Sequence, residues 1–570
     1  MPVARDAAES RPSDVVEQMT RRVVGSSPTV GSSASFSVTR QLLAAGLLLG
    51  AVLLSQLPLV KSTNFYGYDE WTVLTLVQRG ILDIPYTNRP LALLWALPAS
   101  RLWPWTFEAF ATSYWIYLGL NALLVLWIAR RLTPFRPGFA FLAGVLAVVW
   151  APTDEARLST VERALYAGIT FGMLLAIALF MESWRRRSLP LLAAAFLLSV
   201  VSGRCYEPTL PVLLLAPLLL LIAERRATRE LWKWIASFEA FVALGVLLAV
   251  QPLFARRGPS YQAEYVDPRP LAVVERLFME YRLHFAPAVG VRLEELRAPA
   301  VAGTVVVFVA AFWMWSLLET ASDGDRGKRG NLARLAGAGW LLTGAGYSAN
   351  ALTGRFPGAW RMQFLSSLGA ALLLAAVVTA VAERCGRLRA VVAALLGAWL
   401  VAVGSGRTLG MQRTWDERSY YPRQQAQLTS LIAAVPELAP HSLLILLDEV
   451  ETWRANFGFH HAAAALYDGR ATGTVWGVWG AMFPVVVEAA GVLSVPWPVI
   501  REPWDEAPTL HRFDEIVVVR HLRSGPTLVL DDWPSELPPL PPGARYAPRD
   551  RILPSTTAIP ARRALESLER

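Results

Sequence analysis

Long apolar runs recur along the chain up to about residue 405, and they limit its possible folds more than any other feature. A helix needs about 20 apolar residues to cross a bilayer. Hydrophobic residues make up 54% of the 570 residues and charged residues only 17%, against about 25% charged residues in soluble domains. The pattern predicts a mainly α, polytopic transmembrane helical bundle. We count about eleven spans, with cores at 41–60, 107–129, 138–150, 164–180, 189–201, 208–223, 234–253, 298–318, 335–349, 363–381 and 390–403.

Arginine and lysine are concentrated in alternate loops, at 130–131, 185–187, 225–233, 326–329 and 384–389. Positive residues beside membrane spans mark the cytoplasmic loops. The N-terminus is then inside and the C-terminus outside a plasma or inner membrane. The net charge of +9 follows this same distribution, so we predict membrane lipids and no nucleic acid as partners. The polar, Ser-rich segment 1–40 is predicted to be a disordered cytoplasmic tail.

The long apolar runs end near residue 407, and this change divides a membrane domain over 41–406 from a second domain over 407–570. An amphipathic pattern at 424–432 predicts a helix, and apolar runs at 443–447, 515–519 and 527–530 predict strands. These elements indicate a small extracytoplasmic α/β domain. The apolar stretch 475–487 is interrupted by glycines and Pro484. We interpret it as domain core or a surface resting on the membrane, in preference to a twelfth span.

The first outer loop carries an acidic pair, Asp69 and Glu70, just after the first apolar run. Neighbouring side chains on a helix diverge by about 100°, so one carboxylate can face a cavity while the other faces a cap or solvent. The apolar residues of 71–77 predict an amphipathic helix lying on the membrane surface. Arg89 follows, and a guanidinium matches the geometry of a phosphate.

This loop resembles the first outer loop of the GT-C superfamily of membrane glycosyltransferases, particularly the protein mannosyltransferase and aminoarabinose transferase branch. In that family an Asp-Glu pair precedes an amphipathic helix, a glycine and a Tyr…(Arg/Lys)-Pro-Pro-Leu…Trp stretch. This chain has one proline where the family often has two, and a compact spacing after the glycine. The matching residues, in order, are Asp69, Glu70, Gly80, Tyr86, Arg89, Pro90, Leu91 and Trp95.

The resemblance implies a transferase that takes a sugar from a polyprenyl-phosphate donor. The acceptor would be an envelope glycan, lipid or protein on the outer face, and transfer would proceed with inversion. Asp69 would be the base that deprotonates the acceptor, with Glu70 as a second catalytic candidate and Tyr86 and Arg89 as binding residues. The alternative for Asp69 is a helix cap. A divalent cation is compatible with this chemistry, but no residue pattern requires one.

Six further residues are candidates for substrate or phosphate binding, and each has a structural alternative. Asp154 and Glu155 in the second outer loop suit an acceptor or a metal, although a helix start with an acidic cap is the favoured interpretation. Arg204 and Glu207 at a tight outer turn either contact substrate or pair with each other. Arg355 and Arg361 either bind a lipid phosphate or anchor the interface.

Two other classes of protein remain open. An envelope polysaccharide polymerase or ligase would rely on Arg355, Arg361 and the long outer loop 258–297, and it would tolerate loss of Asp69. A transporter or scaffold would need neither carboxylate. A transporter should carry ionisable residues in mid-span, whereas the clearest intramembrane acid, Glu239, lies near the cytoplasmic end of its span.

Overall fold

The structure is a computed structural model that describes residues 30–56, 63–67, 69–84, 89–133, 137–224, 227–254, 266–290, 293–319, 329–353, 362–478, 485–494, 508–555 and 558–566. Two compact units make up the chain, Met1–Leu47 and Leu48–Arg570. Within the described residues, helices α1 to α17 run in order over Val30–Ser55, Glu70–Gln78, Leu97–Leu102, Glu108–Leu132, Pro137–Val149, Glu162–Arg186, Leu189–Cys205, Leu210–Leu215, Pro217–Glu224, Arg229–Phe254, Pro270–Phe285, Leu293–Leu296, Pro299–Glu319, Arg329–Ala351, Gln363–Arg384, Arg389–Arg418 and Tyr421–Ala434.

Helices of membrane-spanning length dominate the first two thirds of the chain. In the described ranges, seven helical segments are long and apolar enough to cross a membrane, judged by length and composition. Three shorter apolar helices accompany them. The predicted mainly α, multi-pass architecture is confirmed at this level, while the larger span count and the orientation stay predictions. The seven segments are Glu108–Leu132, Glu162–Arg186, Glu207–Glu224, Arg229–Leu248, Pro299–Ser316, Gln363–Arg384 and Gly386–Ala434.

Helices α14 and α15 approach each other closely through glycines. A Cβ atom added to Gly339 would lie 2.7 Å from the backbone nitrogen of Leu373, and one added to Gly369 would lie 2.3 Å from that of Thr343. Small residues at a membrane helix interface allow such backbone contact. Gly337, two residues before Gly339, has no neighbour within 4 Å of the same position, so one face of α14 makes the contact.

The C-terminal region is a small α/β structure, as the sequence predicted. Helix α16 continues to Arg418, past the boundary placed at residue 407, and α17 covers the predicted helix at 424–432. Strand β2 (Ser442–Asp448) lies between β3 (Ala471–Val475) and β7 (Ile516–His521), parallel to both, and β8 (Thr527–Val529) is antiparallel to β7. The elements after α17 are β1 Glu437–Leu438, β2 Ser442–Asp448, α18 Asn456–Leu466, β3 Ala471–Val475, β4 Val485–Glu488, β5 Gly491–Ser494, β6 Thr509–His511, β7 Ile516–His521, β8 Thr527–Val529, β9 Ile552–Leu553 and α19 Arg563–Glu566.

The ambiguous stretch 475–487 belongs to this α/β region where it is described. Val475 ends β3, and β4 begins at Val485, while residues 479–484 lie outside the described ranges. Parallel strands that are covered on both faces read as continuous apolar runs, and all residues of β2 except the last are buried. The described ends of the stretch are therefore strands rather than part of a twelfth span.

Helix α2, which begins with the acidic pair, is enclosed by protein. All residues from Glu70 to Val77 are buried. Trp71 donates its indole N–H to Gln424 of α17 at 3.0 Å, and the Thr75 hydroxyl donates to the carbonyl of His461 in α18 at 3.2 Å. The prediction of a helix lying on the membrane surface is thus wrong, because the C-terminal region covers the apolar face that the sequence assigned to lipid.

Candidate active site

The chain turns sharply just before the acidic pair. Gly67 has a φ of 94°, in the left-handed region that favours glycine. The Glu70 carboxylate accepts the backbone N–H of Tyr66 and, at 3.2 Å, that of Gly67. Glu70 therefore closes the turn that precedes its own helix, and this bonding fixes the backbone position of Asp69.

Glu70 is enclosed and only 2% exposed. Burial raises its pKa from 4.5 to about 8, the nearby Glu162 carboxyl adds to the shift, and the backbone N–H groups of Glu70 itself and of Tyr66 oppose it. A carboxyl with this pKa holds its proton at neutral pH. An enclosed, protonated group is a poor general base, so the geometry gives Glu70 a positioning role.

Asp69 differs from its neighbour in both exposure and bonding. It occupies the N-cap position of α2, and its backbone carbonyl accepts the N–H of Val73 at 2.8 Å. Its side chain is half-buried and makes no capping hydrogen bond to the described N–H groups of the first turn. The carboxylate therefore does not do the capping that is the structural alternative for this residue.

The first and second outer loops are joined by a reciprocal pair of hydrogen bonds. Asn64 N–H donates to the Thr160 hydroxyl at 2.8 Å, and Thr160 N–H donates to the carbonyl of Asn64 at 2.9 Å. The second loop is also tied to the start of α15, where Thr153 N–H donates to the side-chain carbonyl of Gln363 at 3.1 Å. These bonds bring the two acidic loops together with the end of a membrane-length helix.

Asp154 lines a small cavity at the second outer loop. Its carboxylate accepts the N–H of Ala156 at 3.1 Å, so it acts as the helix cap that the sequence favoured. The cavity, of about 40 Å³, is also lined by Arg157, Arg163 and Tyr114. Burial raises the pKa of Asp154 to about 6 against the opposing charge of Arg157. The volume has room for a few water molecules, and the carboxylate is enclosed beside two guanidinium groups.

Glu155 faces a different environment from Asp154. Trp415, near the end of α16, and Arg418 lie close enough to Glu155 to stabilise its charged form. Burial raises its pKa, while Trp415 and Arg418 lower it. The two neighbouring carboxylates therefore lie in different environments, and of the two only Asp154 lines the small cavity.

Arg89 and Glu207, from distant parts of the sequence, form a bidentate ion pair. Nε and Nη2 of Arg89 each donate to one carboxylate oxygen of Glu207 at 2.6 Å, and the guanidinium lies 4.5 Å from the centroid of the Tyr206 ring. Arg204 instead donates to the carbonyl of Leu248 at 2.8 Å. The sequence alternative that paired Arg204 with Glu207 is therefore wrong, because the folded chain brings the first outer loop to Glu207.

A series of aromatic rings links this ion pair to the small cavity. The ring centroids of Tyr206 and Tyr166 are 5.8 Å apart, and those of Tyr166 and Phe364 are 4.8 Å apart. Tyr166 and Phe364 also line the cavity that contains Asp154. The Arg89 pair and Asp154 thus lie at the two ends of one continuous set of contacts.

A larger cavity of about 350 Å³ is lined in part by Pro152 and Thr153 of the second outer loop. Arg407 in its wall forms an ion pair with Glu295 at 3.1 Å. The cavity therefore offers both charges and the room for a small polar group. Its lining includes Pro152, Thr153, Glu294, Glu295, Arg407 and Arg413.

Three candidates from the sequence, Tyr86, Arg355 and Arg361, lie outside the described residues. Arg157 and Arg163 were not among the candidates from the sequence, although charged residues beside the start of an apolar span are costly unless they are paired or functional. Both are less than 10% exposed. Across the described ranges, no group of three or more His, Cys, Asp or Glu side chains is placed to hold a metal ion.

No protein-family model matches the chain, and no curated protein matches it. Among solved structures, the fold is similar to that of ArnT from Cupriavidus metallidurans, crystallised in the apo state. The similarity covers 78% of this chain and 86% of that chain, with 14% sequence identity and a TM-score of 0.32. At this identity no residue role is transferred from that structure.

Proposed function

We propose that the chain is a membrane glycosyltransferase of the GT-C type, which moves a sugar from a polyprenyl-phosphate donor to an envelope glycan, lipid or protein. The reaction takes place on the outer face of the membrane and inverts the anomeric carbon. The supporting observation is that the first outer loop, the second outer loop and the turn around Glu207 converge. Carboxylates and arginines meet there at the ends of membrane-length helices.

Asp69 is the base in this proposal. Its carboxylate takes the proton of the acceptor hydroxyl, whose oxygen then attacks the anomeric carbon of the donor. The bond from that carbon to the phosphate oxygen breaks, and the electron pair leaves with the polyprenyl phosphate. Glu70 keeps Asp69 in place through its bonds to the preceding turn. Base catalysis by a positioned carboxylate contributes about 10²- to 10⁴-fold.

Arg89 contacts the donor phosphate in this proposal. The leaving phosphate is a stable anion, which needs a cation more than a proton. Glu207 and the Tyr206 ring hold the guanidinium in one orientation, and a planar guanidinium is suited to phosphate oxygens. Part of the Arg89 side chain, 20%, is exposed, which allows a lipid phosphate to approach it.

The test measures transfer by the full chain in lipid nanodiscs. A panel of radiolabelled polyprenyl-phosphate sugars is supplied with an envelope extract as acceptor. We expect wild type to transfer label from at least one donor and Asp69→Asn to lose about 10²-fold or more of the rate. Asp468→Asn is the matched control, because Asp468 is exposed in the C-terminal region.

Three outcomes would contradict different parts of the proposal. Full activity of a folded Asp69→Asn protein would remove Asp69 from the role of base, and Asp154→Asn would then be the next variant to measure. Absence of transfer from every donor by wild type would reject the glycosyltransferase and leave a transporter or scaffold. Retention of the wild-type rate and donor KM by Arg89→Gln would reject the phosphate contact alone.

A further inference from the structure

A group of aromatic and cationic side chains next to the first outer loop has the chemistry of a carbohydrate-binding surface. We propose that Tyr66, Trp415, Tyr420 and Arg454, named here the Arg454 platform, bind a pyranose ring of the acceptor. The acceptor is then a glycan rather than a protein or a simple lipid. This inference rests on the proposed function, since it takes Asp69 as the place where transfer occurs.

Two rings that lie against each other supply the aromatic part of the platform. The centroids of Tyr66 and Trp415 are 5.0 Å apart, and the ring planes are inclined by 30°. Both side chains are only partly buried, so part of each ring is accessible. One face of a pyranose ring presents C–H groups, and aromatic rings offer a rigid apolar surface of matching shape.

Arg454 adds hydrogen-bond donors beside these rings. It is exposed, and its Nε donates to the Tyr420 hydroxyl at 2.7 Å. Its guanidinium carbon lies 4.8 Å from the centroid of the Tyr420 ring and 5.6 Å from that of the Tyr66 ring, within the range of cation–π contacts. The guanidinium is thus held in place, and its planar N–H groups suit the hydroxyl or carboxylate oxygens of a glycan.

The platform adjoins the acidic pair. The backbone N–H of Tyr66 donates to Glu70, and a Cβ atom added to Gly67 would lie 3.0 Å from the Tyr420 ring. The chain therefore leads from the platform through one tight turn to Asp69. A sugar bound to the platform could extend a hydroxyl toward the proposed base.

The charged rim of the platform favours a glycan over an alkyl chain. Asp416, Glu417 and Arg418 directly follow Trp415 and are exposed. Sugar hydroxyls can donate to a carboxylate and accept from a guanidinium, whereas an alkyl chain on the rings can do neither. Arg454 comes from the α/β region and Tyr66 from the first outer loop, which gives the C-terminal region a part in acceptor selection.

The first test is direct binding without donor. The full chain in lipid nanodiscs is examined by saturation-transfer NMR with methyl hexopyranosides and hexopyranose disaccharides as probes. We expect saturation of the ring C–H protons by wild type, and signals about fivefold weaker or less with Arg454→Gln and Tyr66→Leu. Arg545→Gln, which changes another exposed arginine of the same region, should bind as wild type does.

The second test separates the platform from the chemistry. With a glycan acceptor, Arg454→Gln should raise the acceptor KM about tenfold and leave kcat and acceptor-independent donor hydrolysis unchanged. Equal probe binding by wild type and both variants, or no probe binding by wild type, would overturn the platform. Transfer only to acceptors that lack sugar would also overturn it. If wild type cleaves no polyprenyl-phosphate donor, the proposed function fails, while the NMR result still decides the platform.

Discussion

Asp69 and Glu70 are neighbours in the sequence, yet the fold gives them different tasks. Glu70 turns inward and binds the backbone of the turn before it, whereas Asp69 stays half-buried and does not cap its helix. The sequence predicted that the two carboxylates would diverge, because α-helical geometry requires it. It could not predict which one is enclosed, because the residues that bury Glu70 come from other segments.

The raised pKa of Glu70 predicts a pH-dependent stability. The folded chain holds a proton on this carboxyl up to about pH 8, whereas an unfolded one releases it near 4.5. The free energy of unfolding should therefore fall as pH rises between these values, by at most about 1.4 kcal/mol per pH unit. Thermal unfolding of wild type and Glu70→Gln from pH 5 to 9 checks this.

The variant should show the shallower decline of Tm with pH. Glu488→Gln is the matched control, because Glu488 is exposed at the end of β4, and its profile should follow wild type. Parallel profiles for wild type and Glu70→Gln would contradict the assignment of the proton to Glu70.

The Arg89–Glu207 pair predicts that the effects of Arg89→Gln and Glu207→Gln on the donor KM are not additive. Glu207→Gln should weaken the orientation of Arg89 and raise the donor KM about tenfold. Because the pair is partly exposed, its coupling in stability should be only about 1 kcal/mol. The double variant with Arg89→Gln should be no worse in donor KM than Arg89→Gln alone. Donor KM values for the four proteins of the cycle measure this, and additive effects would contradict it.

This pair also marks a limit of reasoning from the sequence. Arg204 lies three residues from Glu207, and their pairing was one of the two alternatives from the sequence, whereas Arg89 is 118 residues away. Residue types and loop positions predicted that all three would lie at an outer surface. The pairing depends on how α7 and α8 pack against the first outer loop, and spacing along the chain carries no information about that.

At the scale of elements, apolar length was the reliable signal. The predicted cores 107–129, 164–180 and 363–381 lie within or almost wholly within α4, α6 and α15, because a run of that composition and length has few other stable forms. Helix α2 was predicted as a helix but placed on the membrane surface. A short apolar stripe indicates that something covers it, without distinguishing lipid from protein.

The close contact between α14 and α15 predicts that alanine substitutions at two glycines of α14 change stability in opposite directions. Gly339→Ala would place a Cβ atom 2.7 Å from the Leu373 nitrogen, so the helices must separate, at a cost of about 1–3 kcal/mol. Gly337→Ala meets open space and should gain up to about 1 kcal/mol from helix propensity. Thermal unfolding in detergent compares the two variants with wild type, and equal Tm values would contradict the contact.

At the scale of the whole molecule, orientation is the main prediction still to be measured. The arginine-rich loops predict that Cys385, which is exposed, faces the cytoplasm, and that the α/β region lies outside. In a Ser524→Cys variant, a membrane-impermeant maleimide added to intact spheroplasts should label residue 524 and spare Cys385. Permeabilised spheroplasts, in which both should react, provide the control. Labelling of Cys385 alone in intact spheroplasts would reverse the orientation.

The enclosure of α2 by the C-terminal region also affects biosynthesis. Thr75 cannot form its hydrogen bond to His461 until that residue, 386 positions later in the chain, has been synthesised. A ribosome adds about 5–20 residues per second. The helix that carries the acidic pair is therefore without its cover for roughly 20–80 s after it is made. The proposed active site is completed near the end of translation, so we expect a prematurely terminated chain with every membrane span in place to lack the proposed transferase activity.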